Sequence, residues 1–250
     1  MGAMQVLITM QFDGTNYHGF QVQKNALSVC EVLQNALERL YGERPPVKGC
    51  SRTDAGVHAE GYCVSYCQPK PIAPEKLPLA VNRFLPDDIR VLSAREVDED
   101  FHARYSSVSK EYIYRVRNSR VADVFRGRYE WRVSAPLDVA AMQRAALLAC
   151  GTHDFKAFMS SGSDIEDTVR TVHFFRVEKT GDEIVFHICA DGYLYNMVRI
   201  LVGTLIEAGA HRMRAEEMAD VIASRDRARA GDTAPAQGLC LYRVNYGFSQ

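Results

Sequence analysis

Hydrophobic and polar residues alternate over Val6, Ile8, Met10 and Phe12, a period that predicts a strand ending at the Asp13-Gly14 turn. A polar and aromatic loop, GTNYHGFQVQ, follows over residues 14–23. The period then turns helical: Ser28 and Glu31 make a capping box, and Val29, Val32, Leu33, Ala36, Leu37, Leu40 and Tyr41 share one face. Beyond Pro45-Pro46 the pattern predicts a strand over 62–67, a short proline-bounded helix from about Glu75 to Phe84, and a strand near Ile89–Val97. Strands are next expected at Tyr112–Val116 and near Tyr129–Val133. Pro136 suits a first helical position, Leu137–Cys150 is apolar-periodic, and Gly151 fits a C-terminal cap. Val172–Lys179 and Glu183–Ala190 read as a hairpin across Thr180-Gly181-Asp182. Tyr193–Ala208 is apolar around most of its circumference and predicts a buried helix bearing Asn196 and Arg199. A surface helix near Ala215–Ser224, a mixed-charge loop over Arg225–Asp232 and a strand over Leu239–Tyr246 complete the chain.

This order of elements is α+β. It suggests two similar α/β halves, 4–105 and 106–250, sharing an interface, since no low-complexity segment or long linker divides them. With 47% hydrophobic and 24% charged residues the composition is that of an ordinary globular protein. The start of the chain has neither a basic n-region nor a long apolar run, so neither a secretion signal nor a membrane span is expected there and a cytoplasmic location is. Met1–Ala3 read as a cloning remnant ahead of Met4. Seven scattered cysteines read as reduced and mostly buried. Cys63 and Cys67 share a strand face, but no second Cys or His pair completes a zinc site.

A net charge of −1 gives no global sign of a nucleic-acid partner, but the local distribution does. Between Phe101 and Arg132, the bases Arg104, Lys110, Arg115, Arg117, Arg120, Arg126, Arg128 and Arg132 face only Glu111, Asp123 and Glu130. A basic face and a solvated arginine-rich strand both fit that count.

The candidate chemistry centres on Gly49–Ala59, GCSRTDAGVHA, where two glycines bracket an arginine, a hydroxyl residue and a carboxylate. A guanidinium at Arg52 favours the ionised form of Asp54, which suits a nucleophile, base or electrostatic partner and suits a proton donor badly. Thr53 or Asp54 capping a turn is the plain structural alternative. Arg199 poses the matching question in the second half, because a charge on a buried helix needs an acidic partner or an anionic ligand unless it lies on a narrow exposed stripe with Asn196 and Gly203.

Taken with FDGTNYHGFQVQ (residues 12–23), FHARYSSVSKEYIYRV (101–116), YLYNMVRILVGTLIEAG (193–209) and APAQGLCL (234–241), GCSRTDAGVHA resembles the motifs of the tRNA pseudouridine synthases of the A type, in that family's order and over nearly the whole chain. Ser51 stands where many members have glycine. The resemblance implies a pseudouridine synthase-like fold with a mainly antiparallel mixed sheet and an active-site cleft between the halves. It implies a uridine isomerase needing neither metal nor redox cofactor, with Asp54 as catalytic nucleophile or base. By the same resemblance Tyr112 stacks on the uracil, Arg199 pairs with Asp54, Leu239 walls the base and Arg52 helps extrude the nucleotide. Arg104, Lys110 and Arg115 would bind RNA, and His58 would orient the loop. The family acts as a homodimer on the tRNA anticodon stem-loop at positions 38, 39 and 40. A glycosidase would need a second, acidic carboxylate, a metal nuclease clustered carboxylates, and a catalytically silent RNA-binding protein would leave Asp54 dispensable. Loop 153–168, rich in Gly and Ser, is expected to close over RNA.

Overall fold

A computed structural model describes residues 4–162 and 165–248. Met1–Ala3, and Ser163 and Asp164 within the 153–168 loop, lie outside the described residues. The chain folds as two compact units: unit 1 takes in the described residues up to Val108 and those from Leu241 onward, and unit 2 is Ser109–Cys240. The periodicity suggested a boundary at 105/106 with the C-terminus in the second half. The last strand instead crosses the division, because its end is held in unit 1 by Val108 N–H donating to Asn245 O (2.8 Å) and Tyr246 OH donating to Ala103 O (2.7 Å).

In unit 1, β1 (Met4–Phe12) pairs antiparallel with β3 (His58–Gln68) on one side and β4 (Ile89–Glu96) on the other. The two-residue β2 (Lys48–Gly49) pairs with β3, and β10 (Leu239–Asn245) lies beyond β3. Gly61 of β3 has no Cβ because one would overlap the Tyr242 carbonyl oxygen. The predicted first helix is α1 (Val29–Tyr41): Ser28 Oγ accepts from Glu31 N–H at its start, and Gly42 ends it at φ 81°, a left-handed value that glycine adopts without strain. Its buried face is Val29, Cys30, Leu33, Ala36, Leu37 and Tyr41; of the positions the spacing predicts, Val32 and Leu40 at its margins are only half-buried. α2 (Leu77–Asn82) packs against α1 and β4.

In unit 2, β5 (Ser109–Asn118), β9 (Glu183–Ala190), β8 (Val169–Thr180) and β7 (Gly151–Asp154) form an antiparallel run in that order. β6 (Trp131–Val133) pairs parallel to β5. The mixed, mainly antiparallel sheet and its helices make the fold α+β. α3 (Val139–Leu148) starts three residues after Pro136, which was expected as its first residue: Asp138 is the cap, its carboxylate accepting Ala141 N–H at 3.0 Å and so satisfying a free amide of the first turn. Gly151, expected as a cap, opens β7 at φ 100°. α4 (Met197–Gly209) is buried on nearly all sides, as its composition requires, and α5 (Glu217–Ser224) follows.

The segment expected to be a flexible lid is tethered at both ends. Asp154 accepts from Thr168 Oγ1 (2.5 Å) and Lys156 N–H (3.0 Å) and pairs with Arg225 (2.7 Å). Phe155, Ala157 and Phe158 are fully buried. Burial raises the Asp154 carboxyl, but the Thr168, Lys156 and Arg225 contacts outweigh it and hold it below the usual range. A depressed carboxyl contributes stability above its unfolded pKa of about 3.9, and that contribution is lost as pH falls through the lower folded value. The melting-temperature gap between wild type and Asp154→Asn should therefore be full at neutral pH and close only below about pH 4; a gap independent of pH would show that the carboxylate charge is irrelevant.

Gly203, inside α4, gives a second test. A Cβ there would overlap the Asp232 carbonyl oxygen. Helix propensity alone predicts that Gly203→Ala stabilises by about 1 kcal/mol. Overlap with backbone predicts the opposite sign, a loss of about 1–3 kcal/mol in denaturant unfolding.

Candidate active site

Asp54 lies half-buried in unit 1 at the head of a tight turn, where Val57 N–H donates to Asp54 O (3.2 Å) and Gly56 takes φ 78°. Positive φ at the third position is what a type II turn demands, and glycine supplies it. The loop leaves β2 beside β3. Cys50 N–H donates to Cys63 O (2.9 Å), and the Tyr62 hydroxyl donates to Ser51 O. Phe20 stacks on Tyr62 with ring centroids 4.2 Å apart, filling the space that Gly49 leaves empty.

The 14–20 segment, part of a motif to which the sequence assigned no role, is the loop's second wall. Gly56 N–H donates to Tyr17 O (3.1 Å), and Phe20 N–H donates to Thr53 Oγ1 (3.0 Å). A Cβ at Gly14 would overlap the Val57 carbonyl, and one at Gly19, which sits at φ 77°, would overlap the Thr53 carbonyl. Thr53 is thus a strut between the two segments. Tyr17 is buried, and its hydroxyl donates to Asp88 (2.7 Å); burial first, then Asp88, pushes the phenol far above the usual tyrosine range, so it stays a neutral donor. His58 sits beneath the loop, buried, with Nδ1 3.0 Å from Gly14 N and 3.2 Å from Asp13 Oδ1. Both contacts use the same ring nitrogen. Gly14 N–H donates to Nδ1, a bond that requires this nitrogen to be unprotonated.

Arg52 is exposed in unit 1, as is Arg104, whose guanidinium lies 5.6 Å from the Tyr105 ring centroid. The other expected site residues belong to unit 2. Tyr112 is a buried strand residue with Tyr193 edge-on to its ring at 5.0 Å. The half-buried Tyr193 donates its hydroxyl to Lys110 O (2.9 Å), and desolvation pushes the phenol well above the usual tyrosine range, so it stays neutral. Lys110 is 8% exposed and Arg115 half-buried, both on β5, so neither is a freely exposed surface cation.

Arg199 is half-buried. Its Nε–H donates to Ala234 O (2.7 Å) and its NH1 to Asn196 Oδ1 (2.8 Å). Asn196 stands at φ 61°, a left-handed conformation that asparagine tolerates best among non-glycine residues, and its Nδ2 donates to Ser160 Oγ. This is why α4 starts at Met197 and not at Tyr193: the preceding residues form the turn that sets Asn196 against Arg199. The stripe of Asn196, Arg199 and Gly203, whose exposure was the alternative to a buried and partnered arginine, is covered by the 231–235 segment, with Gly231 N–H donating to Thr204 Oγ1 (2.9 Å). That segment continues past Tyr114, whose hydroxyl donates to Pro235 O (2.7 Å) and whose ring fills the space beside Gly238, into the buried Leu239. Unit 2 therefore brings Arg199 to the stretch that carries Leu239. Tyr17, Thr53, Tyr114 and Asn196 are the supporting residues that the motifs contained without revealing their contacts. Among the described residues, no group of three or more His, Cys, Asp or Glu could hold a metal ion.

A family model for tRNA pseudouridine synthase matches residues 8–106 and 145–247. Among curated proteins, the tRNA pseudouridine synthase A of Moorella thermoacetica is 48% identical over 96% of this chain and 98% of its own length. Those of Thermoanaerobacter sp. strain X514 and Halalkalibacterium halodurans are each 46% identical, over 96% and 95% of this chain and 99% and 91% of their own lengths. A chain of a Cbf5-Nop10-Gar1 complex, 10% identical, overlays at a TM-score of 0.39, covering 94% of this chain and 57% of that one; the likeness is too remote to inform function. The chain belongs to the tRNA pseudouridine synthase family and is, with it, an isomerase acting on tRNA.

Gly19 tests how the loop is held. Gly19→Ala should keep its far-ultraviolet circular dichroism but lose about 100-fold in kcat/KM, the usual cost of misplacing a reacting group by about 1 Å. Wild-type activity in this variant would mean that the approach of residues 14–20 does not position the loop.

Proposed function

We propose that this chain converts uridine to pseudouridine at positions 38, 39 and 40 of the tRNA anticodon stem-loop, with Asp54 as the nucleophile or base that starts the reaction. The observation carrying this reading is the construction around Asp54: a carboxylate at the head of a glycine turn, held by β3 on one side and by Tyr17, Gly19 and Phe20 on the other. Such a brace fixes the carboxylate's backbone before substrate arrives, so little reorganisation is left for the reaction itself.

The reaction breaks the C1′–N1 bond, rotates the uracil and forms C1′–C5. The C5 proton leaves to solvent, N1 takes up a proton, and no electrons are gained or lost. Asp54 either attacks the ribose or uracil or removes a proton. Tyr112 stacks on the uracil and Leu239 gives it an apolar wall. Arg199, its guanidinium aimed by Asn196 and Ala234, orients Asp54 or meets a phosphate. Arg52 binds backbone phosphate as the target base leaves its stack, which an enzyme must arrange because a stacked base is out of reach. Arg104, Lys110 and Arg115 add RNA contacts. The active form is a cytoplasmic homodimer.

Transcripts tritiated at C5 of uridine test this reading, because joining C1′ to C5 expels the label whatever the path. The wild type should release tritium, and Asp54→Asn should release none, a drop of at least about 10⁴-fold if the carboxylate is the nucleophile, while both bind the transcript alike. Release by both proteins would remove Asp54 from the chemistry, and binding without release by either would leave an RNA-binding protein.

A further inference from the structure

The excursion between β5 and β6 carries chemistry that the roles above leave unused. Its base is pinned. β5 and β6 run in parallel register, with Arg117 opposite Arg132 and Asn118 opposite Val133, and Asn118 Nδ2 donates to Val133 O (3.0 Å) and Ala135 O (2.7 Å). The Arg117 guanidinium binds the buried Glu130 carboxylate and lies 3.4 Å from Asp123.

Asp123 in turn shapes the tip: its Oδ1 accepts Phe125 N–H (2.9 Å), and its carbonyl accepts the N–H groups of Arg126 (3.3 Å) and Gly127 (3.0 Å). A turn braced this way presents its apolar residues to solvent. Val121, Val124 and Phe125 are 75%, 85% and 88% exposed. Single exposed apolar residues are ordinary, but three within five positions on a braced tip mark a contact surface.

The charges around the tip indicate the partner. Arg120, Arg126 and Arg128 are exposed beside Phe125, Arg126 within a surface ion pair with Glu183 (3.5 Å), and Asp123 and Glu130 both turn back onto Arg117. A two-fold contact with a second copy through this patch would set these arginines against their own images. A polyanion with unpaired bases satisfies both features together, since aromatic rings stack on splayed bases while guanidinium groups take the flanking phosphates.

We propose that the 119–129 turn is a separate tRNA contact, in which Phe125 stacks on an unpaired base and Arg120, Arg126 and Arg128 engage the adjoining phosphates. The contact rests on the tRNA reading given above and adds to it an anchoring surface distinct from the Asp54 loop.

Filter binding of a full-length tRNA transcript to wild type, Phe125→Ala, Phe125→Leu and Phe125→Tyr at several salt concentrations tests it, with C5 tritium release by the wild type scored on the same transcript. Phe125→Ala and Phe125→Leu should bind about 5- to 100-fold more weakly, the worth of one base stack, and Phe125→Tyr about as tightly as wild type. Arg120→Ala and Arg128→Ala should each lower the slope of log affinity against log salt by about 0.7–0.9. The substituted side chains are exposed, so unchanged melting temperatures accompany the expected result. Affinities within twofold of wild type for every Phe125 variant, while the wild type still releases tritium, overturn this contact and leave the function intact. Leucine matching phenylalanine, or loss of self-association in Phe125→Ala with tRNA affinity unchanged, assigns the patch to protein contact and also overturns it. A wild type that neither binds nor releases tritium overturns the tRNA reading itself.

Discussion

Two stretches of backbone, 14–20 and 53–57, approach each other more closely than side chains allow, and the placement of Asp54 depends on that approach. Gly14 and Gly19 are the positions where a Cβ would strike the opposing carbonyls, and Gly56 supplies the left-handed turn that reverses the loop. With the backbones this near, Tyr17 O and the Thr53 hydroxyl can take the facing amides, so the loop's polar groups are satisfied by protein. The rest of unit 1 serves this contact. α1 begins directly behind it, with Val29 and Cys30 N–H donating to Gly19 O (3.2 Å) and Phe20 O (2.9 Å), so the helix start and the loop wall are one piece of structure.

Unit 2 uses the same device at its own conspicuous charge. Gly203 and Gly231 let the 231–235 segment lie on α4, and the Ala234 carbonyl and the Asn196 amide then hold the Arg199 guanidinium in one orientation. Tyr114 locks the continuation of that segment from beneath. In both units a polar group expected to work on substrate is fixed by close backbone packing, and the glycines in the motifs exist to permit that packing.

Much of this was legible in the chain. Alternation over Val6–Phe12 and the apolar face of Val29–Tyr41 predicted β1 and α1, because each buries one face and period alone identifies it. Gly181 and the flanking alternation predicted the β8–β9 hairpin. What period could not show were elements whose stability comes from partners distant in sequence. β2 and β7 are too short to carry a pattern, and β7 with Phe155 and Phe158 turned an expected loose loop into an anchored one. The start of α4 was misplaced because Tyr193–Asn196 is apolar enough to look helical, yet Asn196 is needed in a left-handed turn. At the site, residue types were readable and contacts were not: the string RTDAG singles out Asp54 as a candidate, but that Thr53 bonds to Phe20 N–H is a fact of tertiary packing. The arginine count over 101–132 overstated the exposed charge, since Arg117 is committed to Glu130 and Asp123 and Lys110 is buried.

The central claim is that the braced Asp54 carboxylate isomerises particular uridines of the anticodon arm. Its most direct measurement is carbodiimide mapping of pseudouridine by primer extension on a single unmodified tRNA carrying uridines both inside and outside positions 38–40, after incubation with wild type or with Asp54→Asn at equal bound fraction. The account predicts stops at uridines within 38–40 for the wild type and none anywhere for the variant. Pseudouridine appearing at other positions, or at 38–40 with Asp54→Asn, would contradict it.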